Sequence, residues 1–274
     1  MIKSPLRYPG GKSRAMKFLG DFIPPFLTLR EPFFGGGAFT FFCQQQYEQT
    51  NVFEASDLNY DLFCFWNELK EQPKSLIEAV KDIKQIEKNG RALYQKLVAR
   101  RNAELSNHQR AIDFFVLNRI TFSGTIDAGG YSQGAFDKRF TVSSIERVEK
   151  IIPLVQKIDF YHHDYNYLLE KEGDNVLIFL DPPYYSATKS RLYGKKGQLH
   201  TGFDHQRFFT DVQKCKHRFL ITYDNCDYIK NLYQNYYQLD WELQYGMNNY
   251  KQGKAAKGKE ILIANFDINK LIPS

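Results

Sequence analysis

The chain has 274 residues, of which 43% are hydrophobic and 25% are charged, and its formal net charge is +6 at pH 7. This composition is typical of a folded globular protein and excludes a disordered or fibrous chain. No window approaches the roughly 18 apolar residues of a membrane span, so a membrane protein is excluded and a cytoplasmic one is expected. The four cysteines form no C-x-x-C pair, and we therefore expect neither a metal site nor a disulfide framework.

The charge and the aromatic content are compatible with a polyanionic partner. Lys and Arg together number 37 against 31 Asp and Glu, and the chain contains 18 Tyr and 23 Phe. Basic side chains attract phosphates, and nucleobases stack on aromatic rings. An ordinary basic surface and an aromatic core remain the alternative explanation.

Five short apolar runs, which close on or beside acidic or polar residues, predict buried strands of an α/β sheet. They cover residues 27–31, 52–57, 158–161, 176–181 and 219–224. Ligands of open parallel sheets bind at the carboxyl ends of the strands. The acidic residues at these ends therefore indicate where a site is expected.

Between the second and third runs the pattern becomes helical. Leu76, Val80 and Ile83 recur on one helix face, and no strand-like run interrupts the block. Residues 123–140 have neither a helical nor a strand period, so we predict a long functional loop there. We expect residues 66–156 to be an insertion into an α/β domain formed by residues 1–65 and 157–274.

The first strand leads into the turn Glu31-Pro-Phe-Phe-Gly-Gly-Gly37, which a helix follows. Glycines at a strand-to-helix turn let the backbone come close to a ligand. Asp57 lies 20 positions after Gly37, the offset at which an acid in a nucleotide-binding unit meets ribose hydroxyls. Thr40 replaces the last glycine of a dinucleotide fingerprint, and no phosphate-loop G-K-[ST] follows. The pattern favours a nucleoside without phosphates, such as S-adenosylmethionine.

The fourth run ends in Asp181-Pro182-Pro183-Tyr184. The Asp181 carboxylate and the Pro182 carbonyl are two acceptors that could orient an exocyclic amine, and Pro183 stiffens the turn. The Tyr184 ring could stack on a nucleobase, and such stacking contributes about 1–3 kcal/mol to binding. An Asp-capped Pro-Pro turn without chemistry is the alternative.

These segments together resemble the alpha class of DNA adenine methyltransferases, the group to which Dam belongs. The resemblance rests on Arg7-Tyr-Pro-Gly-Gly-Lys12, Glu31 to Phe39, an acid closing the second strand and the motif at Asp181, in that order. It implies a Rossmann-like α/β fold for S-adenosylmethionine-dependent methyl transfer, with an inserted helical target-recognition domain. It also implies a site-specific enzyme that methylates the N6 amine of an adenine flipped out of double-stranded DNA.

The resemblance also implies the residues of the two sites. The expected catalytic residues are Asp181, Pro182, Pro183 and Tyr184, and the expected cofactor-binding residues are Tyr8, Lys12, Glu31, Phe34, Gly35, Gly37, Asp57 and Asp164. Asp57 would bind the ribose hydroxyls and Asp164 would lie beside the adenine of S-adenosylmethionine. Purely structural roles remain open for Glu31 as a turn cap, for Tyr8 as a packing residue and for Asp164 as a helix N-cap.

Contacts with DNA are expected from the insertion and from a basic stretch after the catalytic motif. The expected residues are Arg119, Lys138 and Arg139 in the insertion, and Lys189, Arg191, Lys195 and Lys196 in the basic stretch. Lys and Arg can bind phosphates or base edges. A solvated surface loop is the alternative for the basic stretch.

Two other functions remain open from the sequence. One is the same chemistry on the N4 amine of cytosine or on an RNA base, and the other is a DNA-binding protein without catalytic activity. By the pattern of the family that the chain resembles, Asp181 at the head of the motif, in place of serine, favours adenine. No cysteine follows a proline in the sequence, which speaks against methylation at C5 of cytosine. The expected setting is a nucleoid-associated monomer or weak dimer that binds double-stranded DNA and has no membrane partner. It could be paired with a restriction endonuclease.

Overall fold

Seven strands form one sheet in the computed structural model, which describes residues 1–8, 11–47, 52–126, 129–186, 202–243 and 258–271. The strands are β1 (Thr28–Glu31), β2 (Val52–Ser56), β3 (Ile158–Tyr161), β4 (Val176–Leu180), β5 (Arg218–Asp224), β6 (Tyr237–Leu243) and β7 (Gly258–Ala264). Their order across the sheet is β3-β2-β1-β4-β5-β7-β6. Neighbouring strands are parallel except for β7, which is antiparallel to both β5 and β6. The five predicted strands are confirmed, and β6 and β7 were not predicted.

The chain changes direction across the sheet at β1. It places β2 and β3 on one side of β1 and then returns to place β4 on the other side. The register pairs Arg30 of β1 with Ile178 of β4, so that the two strands end side by side. Ligands of doubly wound sheets bind at such a switch point, beyond the carboxyl ends of the strands. Glu31, the last residue of β1, and Asp181, the first residue after β4, lie at this position.

Both faces of the sheet are covered by apolar side chains. Leu177 and Phe179 of β4 belong to one hydrophobic cluster, while Val176, Ile178 and Leu180 belong to a second one. All five residues of β4 are buried. A central strand buried on both faces is typical of a sheet between two helical layers. This arrangement agrees with the expected Rossmann-like α/β class.

Eleven α-helices occur in the described ranges. They are α1 (Met16–Leu19), α2 (Ala38–Gln46), α3 (Tyr60–Glu71), α4 (Pro73–Ile86), α5 (Gly90–Ala99), α6 (Asn107–Ile120), α7 (Gln133–Arg139), α8 (Val142–Val155), α9 (Asn166–Glu170), α10 (His205–Lys214) and α11 (Asp227–Leu232). Short 3₁₀ turns include Lys12–Arg14 and Phe122–Gly124. None of these helices is both long and apolar enough to span a bilayer.

Six of the helices, α3 to α8, lie between β2 and β3. The long helix α6 is buried from Ala111 to Ile120 and packs against α3. Helix α3 crosses the boundary expected at residues 65 and 66, because it begins at Tyr60 and continues unbroken to Glu71.

The predicted loop over residues 123–140 is wrong in part, because it contains helix α7. Ser132 caps this helix by accepting a hydrogen bond from the backbone N–H of Ala135. Ala135 and Phe136 are buried, and Phe136 packs against Phe140. Two neighbouring apolar residues in a seven-residue helix are too few to produce a recognisable helical period, so the sequence pattern missed it.

Candidate active site

The carboxylate of Asp181 is held from two sides at the carboxyl end of β4. Lys12 Nζ lies 2.9 Å from Oδ1 and 3.1 Å from Oδ2, and Thr222 Oγ1 of β5 donates a hydrogen bond to Oδ1 at 2.7 Å. The Lys12 side chain is 4% exposed, whereas that of Asp181 is 22% exposed. Lys12 and Thr222 thus orient the carboxylate, and its accessible part can accept a hydrogen bond from a substrate.

Tyr184 is hydrogen-bonded through its hydroxyl to a buried carboxylate. Its Oη donates to Glu260 Oε2 of β7 at 2.6 Å, and Lys12 Nζ lies 4.7 Å from the ring centroid. Burial is the main cause that raises the pKa of Tyr184 well above its usual value. Burial also raises the pKa of Glu260 to about 7, although the nearby Lys12 and the Tyr184 hydrogen bond oppose this shift. Tyr184 is therefore a neutral phenol that donates to Glu260.

The backbone that follows Tyr184 is held by Asp224 at the end of β5. The N–H groups of Tyr185 and Ser186 donate to Oδ1 and Oδ2 of Asp224, each at 2.8 Å. The Tyr185 ring stacks on Tyr228 of α11, with the ring centroids 4.3 Å apart. The segment from Asp181 to Ser186 is consequently anchored by Lys12 and by side chains of two neighbouring strands, β5 and β7.

The glycine turn after β1 requires glycine at two positions. Gly35 and Gly37 have φ values of 48° and 66°, in the left-handed region that favours glycine. A Cβ atom at Gly37 would lie 2.4 Å from Cζ of Phe34, and one at Gly35 would lie 2.8 Å from Cε1 of Tyr8. The turn is therefore closely packed, and the Tyr8 ring lies directly against it.

Asp57 and Trp66 bind the backbone N–H and the backbone carbonyl of Gly35, respectively. Gly35 N–H donates to Asp57 Oδ2 at 2.9 Å, and Trp66 Nε1 donates to the Gly35 carbonyl at 3.0 Å. Asn59 N–H donates to the other carboxylate oxygen of Asp57 at 2.9 Å. Burial raises the pKa of Asp57, and the two backbone hydrogen bonds oppose that shift.

Glu31 is buried at the end of β1 and caps helix α2. Its Oε2 accepts hydrogen bonds from Thr40 N at 3.0 Å and from Thr40 Oγ1 at 2.6 Å. Burial raises the pKa of Glu31 to about 8, and the carboxylates of Asp181 and Asp57 add to the shift. Both described hydrogen bonds go to Oε2. The turn-capping role that the sequence left open is thus present.

Asp164 begins the turn into α9 and is partly exposed. Its Oδ1 accepts a hydrogen bond from Asn166 N at 3.3 Å, and its Oδ2 lies 3.8 Å from Arg207. The next residue, Tyr165, stacks on Phe33 of the glycine turn, with the ring centroids 5.6 Å apart. This stacking joins the turn after β3 to the turn after β1 and brings Asp164 towards the switch point.

The family model that matches the chain covers residues 8–247 and describes a D12 class N6 adenine-specific DNA methyltransferase. The chain belongs to this family. It is therefore an adenine-specific DNA methyltransferase with S-adenosylmethionine as its methyl donor. The match does not favour the alternative activities, which are methylation of the N4 amine of cytosine and methylation of an RNA base. It also does not favour a DNA-binding protein without catalytic activity.

Three relatives show how the similarity is distributed. The methyltransferase is 25% identical over 241 residues to a DNA N-6-adenine-methyltransferase of Escherichia phage P1, over 85% of this chain but only 31% of the phage protein. It is 23% identical to the Type II methyltransferase M.MjaIII of Methanocaldococcus jannaschii, over 97% of this chain and 99% of that protein. It is 26% identical over 184 residues to a DNA adenine methylase of Vibrio cholerae, over 65% and 64% of the two chains.

The residues at the ends of β1 and β2 fit S-adenosylmethionine. The buried carboxyl group of Glu31 suits a cationic ammonium group, because burial penalises a carboxylate that has no cationic partner. Asp57 offers acceptors for hydroxyl groups, and the left-handed glycines leave the turn without side chains. Phe34 fits less well, because its ring is 2% exposed and packs edge-on against core aromatics, so only its backbone is available.

Arg119 is buried, which contradicts its expected role in DNA contact. It is 3% exposed, lies over the Phe115 ring and donates to the carbonyl of Pro5. Its neighbour Asn118 accepts from Arg7 N at 3.1 Å and donates to the Arg7 carbonyl at 2.8 Å. Both residues hold the amino-terminal segment against α6, so Arg119 is not accessible to a DNA phosphate.

The other expected DNA-contact residues fall into two groups. Lys138 and Arg139 are exposed at the end of α7. The remaining four, Lys189, Arg191, Lys195 and Lys196, lie outside the described residues. In the described part of the chain, no group of three or more His, Cys, Asp or Glu side chains could hold a metal ion.

Four residues of the site were missed in the sequence: Trp66, Thr222, Asp224 and Glu260. Thr222 and Asp224 lie at the end of a strand that the sequence did predict, so the acidic strand end was a usable signal for Asp224. Glu260 belongs to β7, a strand that was not recognised. Trp66 is an ordinary core aromatic in the sequence, and only its hydrogen bond to Gly35 connects it to the site.

Proposed function

We propose that this methyltransferase flips one adenine out of double-stranded DNA and places its N6 amine between Asp181 and Pro182. The observation that carries the proposal is the orientation of the Asp181 carboxylate by Lys12 and Thr222 at the switch point, beside the glycine turn. An adenine inside a duplex cannot reach such a site, and unstacking it costs on the order of a few kcal/mol.

The chemistry follows from two acceptors of fixed geometry. The lone pair of the exocyclic amine is delocalised into the ring, which makes the amine a poor nucleophile. The accessible part of the Asp181 carboxylate accepts one N–H, and the Pro182 carbonyl accepts the other. The two hydrogen bonds direct the lone pair towards the methyl donor, and the gain comes from preorganised electrostatics and orientation.

Tyr184 stacks on the flipped adenine and offsets part of the unstacking cost, at roughly 1–3 kcal/mol. Its neutral phenol group donates a hydrogen bond to Glu260, so the ring plane is fixed before the base arrives. Pro183 limits the backbone between the two acceptors and the ring. The four residues of the motif thus form one rigid receptor for an aminopurine.

The cofactor is held by the residues around the glycine turn. Bound S-adenosylmethionine supplies an electrophilic methyl group on a sulfonium centre. Glu31 would pair with its ammonium group, Asp57 would accept hydrogen bonds from its ribose hydroxyls and Asp164 would lie beside its adenine. Tyr8, Lys12, Gly35 and Gly37 complete the cradle, with Phe34 contributing its backbone.

We assign recognition of the DNA target to residues 66–156, which contain most of the helices between β2 and β3. Lys138 and Arg139 contact the DNA backbone there, and Lys189, Arg191, Lys195 and Lys196 contact it beside the flipped base. Positive charge is concentrated near α7, where Arg139 lies close to Arg7. Burial lowers the pKa of Arg7, and the repulsion from Arg139 adds to this lowering. A phosphate group placed there relieves this repulsion.

The cellular setting is a proposal of the same kind. One relative carries a Type II methyltransferase name, and this supports a pairing of the enzyme with a restriction endonuclease of the same specificity. We expect a monomer or weak dimer that works at the nucleoid.

Methyl transfer to DNA tests the function directly. Purified protein is incubated with radiolabelled S-adenosylmethionine and mixed-sequence duplex DNA, and the digested nucleosides are separated. We expect labelled N6-methyladenine from the wild type and from Asp174→Ala, and none from Asp181→Ala. Asp174 is an exposed acid at the opposite end of β4 and serves as the matched control. Label in cytosine, or equal activity of Asp181→Ala, would contradict the proposal.

A further inference from the structure

Glu260 is a buried carboxylate that is followed on its strand, β7, by a run of apolar residues. It lies on β7 directly opposite Asp224 of β5, and the four residues after it, Ile261 to Ala264, are fully buried. Glu260 itself is 1% exposed. Burying a carboxylate costs free energy unless a partner compensates it. Its presence in this strand therefore calls for a functional explanation.

The hydrogen bond that compensates this carboxylate comes from the proposed catalytic motif. Glu260 Oε2 accepts the hydrogen bond of Tyr184 Oη at 2.6 Å, and Oε1 has no hydrogen-bond partner among the described residues. Lys12 is the cation nearby, while Asp181 and Asp224 are the neighbouring acids. Tyr184 is thus the one described hydrogen-bond partner that fixes the direction of the Glu260 carboxylate, and Glu260 in turn fixes the hydroxyl end of Tyr184.

Tyr184 is held at both ends. Asp224 binds the two backbone N–H groups immediately after it, and Glu260 binds its hydroxyl. A ring anchored only at its backbone could swing about its side-chain torsions, whereas a bond at the tip prevents this. A stacked base moves with its ring, and a misplacement of about 1 Å at a reacting atom can cost on the order of a hundredfold in rate.

We propose that Glu260 is a positioning residue for the methyl transfer: its hydrogen bond to Tyr184 Oη sets the plane of the ring on which the flipped adenine stacks. The inference rests on the proposed function, because it takes Tyr184 as the stacking residue. Glu260 acts through Tyr184 and contacts neither the base nor the cofactor.

The test is a double-mutant cycle measured by single-turnover methyl transfer on a duplex that contains the mapped recognition site. Glu260→Leu removes the acceptor, Tyr184→Phe removes the hydroxyl but keeps the ring, and Glu260→Gln keeps an acceptor of nearly the same size. We expect Glu260→Leu and Tyr184→Phe each to slow the transfer about tenfold, and the double variant to be no slower than either one. Glu260→Gln is expected to stay within about threefold of the wild type.

Binding of S-adenosylmethionine, measured by calorimetry, is the accompanying readout. Its Kd is expected to change by less than about twofold in all three single variants, because the hydrogen bond acts on the base. Losses that multiply in the double variant, or a Glu260→Gln variant as slow as Glu260→Leu, would overturn the inference. So would a Tyr184→Phe variant with the wild-type rate, and that variant does not depend on the folding of Glu260→Leu.

Tyr184→Ala separates this inference from the function on which it rests. A Tyr184→Ala variant with the wild-type rate would refute the stacking role itself. A slow Tyr184→Ala variant together with multiplicative losses in the cycle would leave the stacking role intact and refute the role of Glu260 alone.

Discussion

Lys12 and Asp181 are 169 positions apart in the chain and form an ion pair of 2.9 Å at the centre of the candidate active site. Lys12 lies in a 3₁₀ turn near the amino terminus, and Asp181 follows β4. The same ammonium group lies 4.7 Å from the centroid of the Tyr184 ring. One buried cation thus links the amino-terminal segment to both Asp181 and Tyr184 of the proposed catalytic motif.

Replacement of Lys12 should reduce catalysis more than folding. We expect Lys12→Met to lower kcat by about a hundredfold, because Asp181 loses the cation that orients it and the acceptor geometry is no longer preorganised. Steady-state methylation of DNA measures the effect. Lys17→Met removes an exposed lysine from the adjacent helix α1 and should keep the wild-type kcat. Equal kcat values for the two variants would contradict the prediction.

Cofactor binding should release a proton from Glu31. Burial raises the pKa of this carboxyl group to about 8, so at pH 7 it is mostly protonated in the free protein. A bound ammonium group favours the charged form and lowers the pKa, so the affinity for S-adenosylmethionine should increase by up to about tenfold from pH 6 to pH 7. Calorimetry at pH 7 in two buffers of different ionisation enthalpy counts the released protons.

Glu31→Gln is the matched control for this linkage, since it keeps an acceptor for Thr40. This variant should bind the cofactor more weakly and release almost no proton. In the protein without cofactor, folding stability depends on pH in the direction opposite to that of cofactor affinity. The folded state binds the Glu31 proton between about pH 4.5 and pH 8, so the stabilising contribution of protonated Glu31 is lost as the pH rises through this window. Equal proton release by the wild type and by Glu31→Gln would refute the assignment.

A side chain at Gly37 should destabilise the glycine turn after β1. Gly37→Ala places a Cβ atom 2.4 Å from the Phe34 ring at a φ of 66°, and we expect a loss of about 1–3 kcal/mol in the free energy of unfolding. A Cβ atom at Gly134 of α7 would meet no heavy atom within 4 Å, so Gly134→Ala should stabilise the protein by up to about 1 kcal/mol. Urea denaturation of both variants measures the difference, and losses of equal size would contradict it.

Loss of the Asn118 side chain should weaken cofactor binding from a distance. Asn118→Ala removes both hydrogen bonds to the Arg7 backbone and should cost about 1–3 kcal/mol of stability, because buried polar groups of the segment lose their partners. The same segment leads to Tyr8 and Lys12, so the Kd for S-adenosylmethionine should rise as well. Asn231→Ala, at an exposed position of α11, is the control. An unchanged cofactor Kd in Asn118→Ala would contradict the prediction.

The exposed basic residues of α7 should determine part of the salt dependence of DNA binding. Lys138→Gln combined with Arg139→Gln should reduce the slope of log K against log salt by about 0.9 for each phosphate that the variant no longer neutralises. Neutralising the exposed Lys74 of α4 should leave the slope unchanged. Fluorescence anisotropy with a labelled duplex between 50 and 200 mM salt, about the range over which this effect is large, measures it. An unchanged slope in the α7 variant would remove both residues from the interface.

Local patterns in the sequence were sufficient for most of the sheet, and they also picked out the segment that we propose as the catalytic motif. Strands β1 to β5 are short apolar runs with polar ends, and such runs depend only on neighbouring residues. The Asp181 motif and the glycine turn are likewise local, because backbone conformation at proline and glycine depends on the residue itself. Strands β6 and β7 were missed since they carry charged residues such as Glu242 and Glu260 among the apolar ones.

The tertiary structure decided which of the polar residues meet. Nothing near Arg119 in the sequence distinguishes an exposed arginine from a buried one, and it is the packing of α6 against the amino-terminal segment that buries it. Glu260 reaches Tyr184 only because β7 lies antiparallel to β5 and places the Glu260 carboxylate next to the Tyr184 hydroxyl. Residue type and spacing therefore determined the chemistry of the site, since that chemistry resides in local motifs. Burial and long-range pairing determined the supporting residues, because desolvation and hydrogen bonding depend on neighbours that only the folded chain brings together.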